Sequence, residues 1–480
     1  MIHKPTSQQI EALFKQIKDQ GIIDVDFRFT DPRGIWHHMT FHIDGLTNDI
    51  FENGIAFDGS SIAGWKPIHD SDMSMIPDLS RIVTDPFAKN STLIIFCDIV
   101  DPSTQKGYER DPRTVARKAE AYLVESGLGT DAYFGPEPEF FVFDRVNYDV
   151  NETYAFYNLH SEESASPTNP FFNNDDLLTD GLSHRPNKGA GYAPVAPVDR
   201  LGDLRSDMLL VLKELGMGVI KHHHEVASAQ HELGFDYSTL LTTADNLQLF
   251  KYGILNVCHQ HDKTATFMAK PISGDNGSGM HVHQSIWKGD TPLFLGDRYN
   301  DLSQMALHYI GGILKHARAL NAFTNPTTNS YKRLIPGYEA PVYRAYSARN
   351  RSAAIRIPYS ANTKAKRIEV RFPDPTANPY LCLSAMLMAG LDGIKNKIDP
   401  GEALEENLYE KDISQLDGDF LMSSNLHQAM ESLKEDSDFL TQGNVFTKDQ
   451  INSYMQLKRQ EIDYVSQCPS PAEFKLYYSS

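Results

Sequence analysis

Four stretches of the chain alternate apolar residues with residues whose side chains carry charge or bind metal ions. The polar members lie two positions apart and form the groups Glu137/Glu139, His223/Glu225, His281/His283 and Arg367/Glu369/Arg371. Side chains two positions apart in a β-strand point to the same face. Each stretch therefore predicts a strand with one apolar face and one polar face. Such a polar face is costly to cover unless it is paired, bound to metal or wet.

Helical periodicity predicts the elements at the two ends of the chain. Residues 6–20 have apolar positions at i, i+3, i+4 and i+7, Thr6 or Ser7 can cap the helix, and Gly21 can end it. Residues 447–465 form a second amphipathic pattern. The tail after it is apolar at Phe474, Leu476, Tyr477 and Tyr478. A tail of this kind is expected to dock, for example against another subunit.

A chain of 480 residues is too long for one ordinary core, so two or more domains are expected. Short alternating runs predict strands up to Asp101, and Asp111 and the following proline then provide an N-cap and a first helical turn. We place the boundary between these two points. The predicted domains are residues 1–105 and 106–480. Residues 145–200 are rich in Asn, Ser, Pro and Gly and predict long excursions.

Composition limits the class of protein. Hydrophobic residues (41%) and charged residues (22%) occur at levels typical of a soluble globular protein. A net charge of −18 argues against nucleic acid or an anionic membrane as the main partner. The four scattered cysteines and the absence of an apolar leader segment predict a cytoplasmic protein. Neither a dinucleotide-binding nor a P-loop glycine motif is present.

Five carboxylates and one imidazole are the candidate metal ligands. They are Glu137, Glu139, Glu225, Glu232, Glu369 and His281. Oxygen-rich ligand sets favour Mg²⁺ or Mn²⁺ over structural zinc, and this set could hold two such ions. The alternative is that the acids are ordinary exposed strand residues. Five acids flanked by sequence of buried type argue against that alternative.

A basic cluster narrows the reaction class. Residues 344–371 contain eight Lys or Arg and a single acid, Glu369. Arginine forks suit the oxygens of phosphate and carboxylate groups. A solvated basic face is the alternative, but Ile355, Ile357, Ile368 and Val370 lie within the cluster. Two divalent ions and an arginine cluster together indicate phosphoryl transfer.

Three glycine-containing loops accompany these groups. The turn DNGSGMH carries Asn276 and Gly277, whose backbone N–H groups could meet an anion. Residues 57–65 carry Asp58 and Ser61, and residues 329–342 carry Arg333 and Glu339. The last two loops are expected either to cover a site or to be structural turns.

These stretches closely resemble bacterial type I glutamine synthetases. The matching segments are FDGSSIAGW, GPEPEFF, GAGYAPVAPVD, HHHEVA, KTATFMAKP, DNGSGMHVHQS, NSYKRLIPGYEAPVYRAYSARNRSAAIRIP, RIEVRFPDPTANPYL and EFKLYYS. They run from residue 57 to the end of the chain, and several are long and jointly specific.

The resemblance implies an α+β fold, with a small N-terminal β-grasp domain and a large catalytic domain. The catalytic domain would hold a mainly antiparallel sheet surrounded by helices. The implied assembly is a homo-dodecamer of two stacked hexamers with sites between neighbouring subunits. The implied reaction joins ammonia to L-glutamate with ATP as co-substrate and two Mg²⁺ or Mn²⁺ ions. It gives glutamine through γ-glutamyl phosphate.

The resemblance also implies a role for each matching residue. Ligands of the first metal would be Glu139, Glu225 and Glu232, and ligands of the second would be Glu137, His281 and Glu369. The glutamate and ammonium side would be formed by Asn276, Gly277, Arg333, Arg371, Tyr192 and Ser61. The nucleotide and its transferred phosphoryl group would meet His283, Ser285, Lys364, Arg351 and Arg356. Asp58, reaching in from the next subunit, would deprotonate ammonium, and Glu339 would close the flap and accept a proton.

Two departures from the family pattern and two alternatives accompany this assignment. Ile220 and Lys221 replace the usual residues before the histidine run, so no nucleotide contact is carried over to them. Tyr409 matches the family's regulatory tyrosine, without its usual Leu-Pro segment, and predicts adenylylation by an adenylyltransferase. A γ-glutamyl ligase that uses another amine, and a non-catalytic protein on the same fold, are the alternatives. Intact metal ligands argue against the second alternative.

Overall fold

The computed structural model describes residues 2, 4–164, 184–408 and 420–479. The α-helices are α1 (Ser7–Gln20), α2 (Asn48–Asn53), α3 (Pro112–Glu125), α4 (Gly202–Glu214), α5 (Leu240–Gln260), α6 (Gln304–Thr324), α7 (Ser330–Arg333), α8 (Pro379–Asn396), α9 (Leu426–Glu435), α10 (Asp438–Thr441), α11 (Lys448–Gln467) and α12 (Pro471–Tyr477).

The β-strands are β1 (Asp24–Thr30), β2 (Trp36–His42), β3 (Ile55–Asp58), β4 (Asp72–Thr84), β5 (Thr92–Asp101), β6 (Lys106–Gly107), β7 (Asp131–Phe143), β8 (Arg145–Val150), β9 (Ala155–His160), β10 (Val219–His224), β11 (Gln230–Phe235), β12 (Ser238–Thr239), β13 (Thr264–Thr266), β14 (Met280–Lys288), β15 (Thr291–Pro292), β16 (Tyr346–Ala348), β17 (Ile355–Ile357) and β18 (Ile368–Val370). The fold is α+β, as expected.

The first sheet has the order β2-β1-β5-β4-β3, with β6 paired to β5. Strands β1 and β5 are parallel, and the other neighbours are antiparallel. Helix α1 begins with a capping box formed by Thr6 and Gln9 and ends at Gly21, which adopts a left-handed conformation. Its predicted limits are therefore confirmed.

The second sheet has the order β10-β11-β7-β14-β18-β17-β16. All of these neighbours are antiparallel except β16 and β17. Its apolar face includes Phe134, Phe140 and Val282, which belong to one large core with the buried helix α8. Side chains alternate between the two faces, so the acids and histidines predicted to lie together occupy the opposite face.

A buried ion network joins the first sheet to the helices of the second. Here the Arg113 network denotes Arg113, Arg117, Asp78, Asp98 and Asp245. Arg113 donates to Asp78 Oδ2 at 2.8 Å, to Asp98 Oδ1 at 2.6 Å and to Asp245 Oδ2 at 2.9 Å. Arg117 also donates to Asp78 and Asp98. Helix α3, which carries both arginines, begins at the predicted cap Asp111.

Other predicted features have mixed outcomes. The amphipathic helix predicted at 447–465 is α11, and the described part of 145–200 contains only the β8–β9 hairpin as regular structure. Within the described ranges, no helix is long and apolar enough to cross a membrane. All four cysteines are free thiols. Residues 165–183 and Tyr409 lie outside the described residues.

Candidate active site

A cavity of about 650 Å³ lies over the polar face of the second sheet. Strand register brings its polar side chains together from distant parts of the chain. The facing pairs are Glu137 with His281, Glu139 with Glu232, and His283 with Glu369. The period-2 spacing in the sequence thus becomes a continuous polar surface across β11, β7, β14 and β18.

Glu137, His281 and Glu369 form the first group of donor atoms, here called the Glu369 cluster. One ligand atom from each residue lies within 4.8 Å of the others. His281 Nδ1 is 3.9 Å from both Glu137 Oε2 and Glu369 Oε1. Glu369 is 1% exposed and accepts hydrogen bonds from Arg356 and Arg371. These are the three residues predicted for the second metal.

His223, Glu225 and Glu232 form the second group, here called the Glu225 cluster. Their ligand atoms also lie within 4.8 Å of one another. His223 Nδ1 is 3.3 Å from Glu225 Oε1, and its Nε2 is 3.3 Å from Glu232 Oε1. Glu139 was predicted to share a metal with Glu225 and Glu232. It lies on the neighbouring strand, where its Oε2 accepts hydrogen bonds from Gln230 Nε2 at 2.7 Å and from the Gly279 N–H at 2.9 Å.

The acids around the Glu225 cluster repel one another. Burial, together with the nearby charge of Glu232, raises the pKa of Glu225 to about 7. Burial and the charges of Glu225 and Glu232 raise the pKa of Glu139 well above its ordinary value. Carboxylates crowded in this way hold protons unless a cation neutralises them. The donor set of carboxylate oxygens and an imidazole therefore fits a hard divalent cation.

Glu137 has the opposite electrostatic environment. Burial alone would raise its pKa, but the hydrogen bond from His283 and nearby positive charges lower the pKa to about 2. Arg367 Nε donates to His283 Nδ1 at 3.2 Å, so the His283 proton resides on Nε2, which lies 3.3 Å from Glu137 Oε1. His283, predicted to contact nucleotide, thus also orients a carboxylate of the Glu369 cluster.

Except for Ser61, the residues predicted for the glutamate and ammonium side line the same cavity, and so does Glu339. They are Asn276, Gly277, Arg333, Glu339, Arg371 and Tyr192. Arg333 is buried and donates to the carbonyls of Phe372 and Pro373, which fixes its guanidinium. Asn276 Nδ2 donates to Glu339 Oε2 at 3.0 Å. A Cβ at Gly277 would lie 2.3 Å from the Ala269 carbonyl oxygen, so only glycine fits this close approach.

Several predicted residues do not line this cavity. Asp58 and Ser61 are exposed on the first sheet's side, where the Ser61 hydroxyl donates to Asp58 Oδ2 at 2.7 Å. Ser285 lies further along β14 and accepts a hydrogen bond from Trp287 Nε1, and Lys364 is exposed. Arg351 and Arg356, by contrast, do line the cavity. The contribution of Asp58 and Ser61 from a neighbouring subunit stays a prediction.

The structure adds lining residues that the sequence reasoning did not assign. Among them are His223, Arg367, Gln230 and Lys221. Lys221 Nζ lies 3.6 Å from Glu232 Oε1. The aliphatic part of the Lys221 side chain packs against Gly234, where a Cβ would lie 3.3 Å from Lys221 Cγ. His223 and Arg367 were visible in the period-2 pattern. Gln230 and Lys221 would have been found by extending that pattern along β10 and β11.

This arrangement can bind cations and anions side by side. Two donor clusters suit divalent cations, and five arginines of the same cavity suit phosphate and carboxylate oxygens. Such a site can neutralise the charge that develops when a phosphoryl group is transferred.

Comparison with known proteins agrees with this geometry. Residues 22–102 match the family model described as the glutamine synthetase β-grasp domain, and residues 109–477 match the model of the glutamine synthetase catalytic domain. A glutamine synthetase of Azospirillum brasilense is 55% identical over 470 residues, which cover 98% of this chain and 99% of that protein.

Two further relatives extend the comparison. A protein of Cupriavidus pinatubonensis named 3-hydroxylaminophenol mutase is 52% identical over 474 residues, covering 98% of this chain and all of that protein. A glutamine synthetase of Plasmodium falciparum, solved by electron cryomicroscopy, superposes with a TM-score of 0.90 at 30% identity and covers 100% of both chains. Together with the two matched domains, these similarities show that the chain is an enzyme that belongs to the glutamine synthetase family.

Proposed function

We propose that this enzyme ligates ammonia to the γ-carboxylate of L-glutamate, with ATP as co-substrate and γ-glutamyl phosphate as the intermediate. The observation that carries the proposal is the pair of donor clusters on one sheet face, bordered by Arg333, Arg351, Arg356 and Arg371. Two divalent cations, Mg²⁺ or Mn²⁺, would supply charge neutralisation at the transferred phosphoryl group when bound.

The first step activates a poor acyl donor. A γ-carboxylate oxygen of glutamate attacks the γ-phosphorus of ATP, the bond from that phosphorus to the bridging oxygen breaks, and ADP leaves. In the proposed arrangement, Arg333, Arg371 and the Asn276–Gly277 backbone hold glutamate, while Arg351 and Arg356 face the phosphoryl group. His283, Ser285 and Lys364 are proposed to contact the nucleotide. Arg333 and Arg371 are buried, and guanidiniums held in place need little reorganisation when charge develops nearby.

The second step forms the amide. Ammonia attacks the acyl carbon, the carbon–oxygen bond to phosphate breaks, and phosphate leaves. Asp58 of a neighbouring subunit would take the proton from ammonium, with Ser61 and Tyr192 beside it, and Glu339 would take a proton from the tetrahedral adduct. The absence of Asp58 and Ser61 from the lining of their own cavity supports a site shared between subunits.

The flap of residues 329–342 is proposed to exclude water from the acyl phosphate. Its residue Glu339 has a φ of +58°, an uncommon value for a residue with a side chain, and Asn276 holds its carboxylate over the cavity. Replacing Glu339 by alanine would therefore uncouple the reaction. More ADP would be released per glutamine formed.

Product measurement tests the proposed reaction. Purified protein with Mg²⁺ or Mn²⁺, ATP, glutamate and ammonia is expected to release ADP and form glutamine, each dependent on both glutamate and ammonia. Absence of glutamine with either metal would refute the proposal. Substituting polyamines for ammonia checks the other-amine reading, which equal or higher rates would favour.

The mutase relative supplies a further comparison in the same assay. A mutase rearranges one substrate, so that activity would require no ADP release coupled to glutamate. Incubation with 3-hydroxylaminophenol in the absence of ATP tests it directly. Conversion of that compound, without glutamine synthesis from the standard mixture, would overturn the ligase proposal.

The shared site is tested by mixing inactive subunits. In the proposed homo-dodecamer, an Asp58→Ala subunit keeps its own metal clusters, and a Glu369→Ala subunit keeps its own Asp58. Random 1:1 co-assembly would give about one quarter intact sites, because each site needs one good half from each subunit. Activity above that of either variant alone is expected. If co-assembled oligomers recover no activity, Asp58 either takes no part in the site or acts in the site of its own subunit.

Four further assignments remain proposals. The boundary between domains is proposed at residues 101–111, and a cytoplasmic location is proposed from the cysteine usage. The exposed tail residues Phe474 and Leu476 are proposed to dock against another subunit. Adenylylation of Tyr409 by an adenylyltransferase stays a prediction, testable by the mass of the intact protein after treatment with phosphodiesterase.

A further inference from the structure

Two rings of the histidine run are not used by the proposed chemistry. His223 faces the cavity, whereas His222 and His224 alternate to the other face of β10. His224 is 1% exposed and lies beside Glu163 and His231, both 0% exposed. The three residues Glu163, His224 and His231 are here called the Glu163 trio. None of them lines the cavity.

The trio has the composition of a metal site, but the tautomer of His231 argues against that role. Glu163 Oε2 lies 3.4 Å from His224 Nε2 and 3.5 Å from His231 Nε2. Arg205 Nη1 lies 3.0 Å from His231 Nδ1, and a guanidinium only donates. The proton of neutral His231 must therefore reside on Nε2. That atom, 3.5 Å from Glu163 Oε2, carries the proton and has no lone pair for a metal.

His224 connects the trio to the Glu225 cluster. Its Nδ1–H donates to the backbone carbonyl of Glu225 at 2.6 Å, and its own carbonyl accepts from the Ala193 N–H at 3.1 Å. Its ring also packs on Gly191, where a Cβ would lie 2.8 Å from His224 Cε1 and 2.7 Å from the Glu225 carbonyl oxygen. One ring thus contacts both a residue of the Glu225 cluster and the segment that carries Tyr192.

Glu163 anchors this ring to the chain that precedes α4. Its Oε1 accepts hydrogen bonds from the N–H groups of Arg200 at 2.7 Å and Leu201 at 3.1 Å. Its Oε2 is the oxygen that faces His224 Nε2. Nδ1 of His224 is held by its hydrogen bond to the Glu225 carbonyl, and Nε2 lies at an ion-pair distance of 3.4 Å from Glu163 Oε2.

We propose that His224 is a positioning residue for the Glu225 cluster and that Glu163 holds its ring in place. The proposal deepens the proposed function and rests on one part of it, the binding of a divalent cation at this cluster. Hydrogen-bonded groups behind metal ligands orient those ligands, and their loss typically weakens metal binding about 10- to 100-fold.

A matched pair of variants tests the direction of the effect. The amide nitrogen of His224→Asn occupies the place of His Nδ1 and keeps the donor to the Glu225 carbonyl. The longer side chain of His224→Gln reaches towards Glu163 and loses that donor. We expect His224→Gln to weaken Mn²⁺ binding to the purified protein by about 10-fold or more. His224→Asn should retain most of the wild-type affinity, and both variants should melt at similar temperatures.

The measurement is isothermal titration with Mn²⁺ alone, in the absence of ATP, glutamate and ammonia. Equal Mn²⁺ affinity in both variants and the wild type would overturn the proposal, as would equal losses that follow a lowered melting temperature. Zinc bound in wild type and absent in Glu163→Gln would overturn the exclusion of a third metal site. A negative glutamine assay would leave this result intact, whereas a wild type that binds no Mn²⁺ would refute the cation sites themselves.

Discussion

The Arg113 network and the Glu225 cluster are both buried and acidic, but their negative charges are balanced in different ways. In the network, the single guanidinium of Arg113 donates hydrogen bonds to three aspartates. Burial would raise the pKa of Asp78, but the charges of Arg113 and Arg117 outweigh it and lower that pKa. At the cluster, burial and like charge instead raise the pKa of Glu225 to about 7.

The difference separates a structural use of buried acids from a functional one. The network is complete within the chain, since each acid has a guanidinium partner at hydrogen-bond distance. In the Glu225 cluster the negative carboxylates face one another, and a bound divalent cation would neutralise their charge. The lowered pKa of Asp78 goes with stabilisation of the folded chain, whereas the raised pKa of Glu225, in a cavity and beside other acids, fits the proposed cation site.

The largest expected effect is the loss of stability in Arg113→Met. Methionine has a similar length and no charge, so Asp78, Asp98 and Asp245 would lose their shared partner. Breaking a buried ion pair by removing one side costs about 3–5 kcal/mol. Urea unfolding should show this loss, while Mn²⁺ affinity should stay at the wild-type value. Arg117→Met, at the edge of the network, should cost less stability. An unchanged urea midpoint in Arg113→Met would show that the network does not stabilise the fold.

The next effect is the loss of activity in Glu225→Gln. Glutamine keeps the shape but removes one charge, and activity should fall by about 10²–10³-fold, as for other losses of electrostatic stabilisation. The metal-free protein should be as stable as wild type or more so, because a like-charge contact is removed. Glu214→Gln, an exposed substitution at the end of α4, is the control and should leave activity unchanged. A large drop in metal-free stability would instead assign Glu225 to the fold.

Divalent cations should stabilise the protein itself. Binding to the folded state alone adds about 2.7 kcal/mol at a ligand concentration of 100 times Kd for one site. The urea midpoint should rise with Mn²⁺ and return with a chelator. Arg113→Met should keep this increment from its lower starting point, and Glu225→Gln should show a smaller one. An equal rise of the urea midpoint in wild type and Glu225→Gln would show that the stabilising cations do not bind at the Glu225 cluster.

The smallest expected effect concerns His316, a buried histidine held between two aspartates. His316 Nδ1–H donates to Asp436 Oδ2 at 2.7 Å, and Nε2–H donates to Asp392 Oδ2 at 3.0 Å. Burial would lower the pKa of His316, but these hydrogen bonds outweigh it and raise the pKa. Because the folded pKa exceeds the unfolded one, this stability is fully present below about pH 6.5 and is lost as pH rises through the folded value.

His316→Gln measures that contribution. The urea stability of wild type minus that of the variant should be largest near pH 6, about 1 kcal/mol for a partly screened charged hydrogen bond, and should shrink at higher pH. Glutamine replaces one hydrogen-bonding end of the imidazole and does not titrate. A difference that stays constant from pH 6 to pH 9 would contradict the role of the charged ring.

The sequence predicted the faces of the strands but not their partners. Period-2 spacing placed Glu137 with Glu139 and His281 with His283, because alternation is a local property of strands. The approach of His223 to Glu232, and the chain from Arg367 through His283 to Glu137, depend on strand register. Register is set by contacts between distant segments, so a local pattern does not specify it.

The Arg113 network shows the same limit more strongly. Asp111 was predicted as a helix cap, and the cap is present. Nothing local indicated that Arg113 would meet Asp245, 132 residues away. The resemblance supplied most of the expected lining residues, but it assigned no role to Lys221, which departs from the family pattern, or to Gln230, whose hydrogen bond to Glu139 depends on strand pairing.

The number of cations bound per chain shows whether the two donor clusters are metal sites. Equilibrium dialysis of the purified protein against Mn²⁺ is expected to give two ions per chain in the wild type. Glu225→Gln and His281→Gln, one from each cluster, should each retain one ion per chain, with melting temperatures of the metal-free proteins close to wild type. A wild type that binds fewer than two ions, or single variants that keep both, would contradict the account.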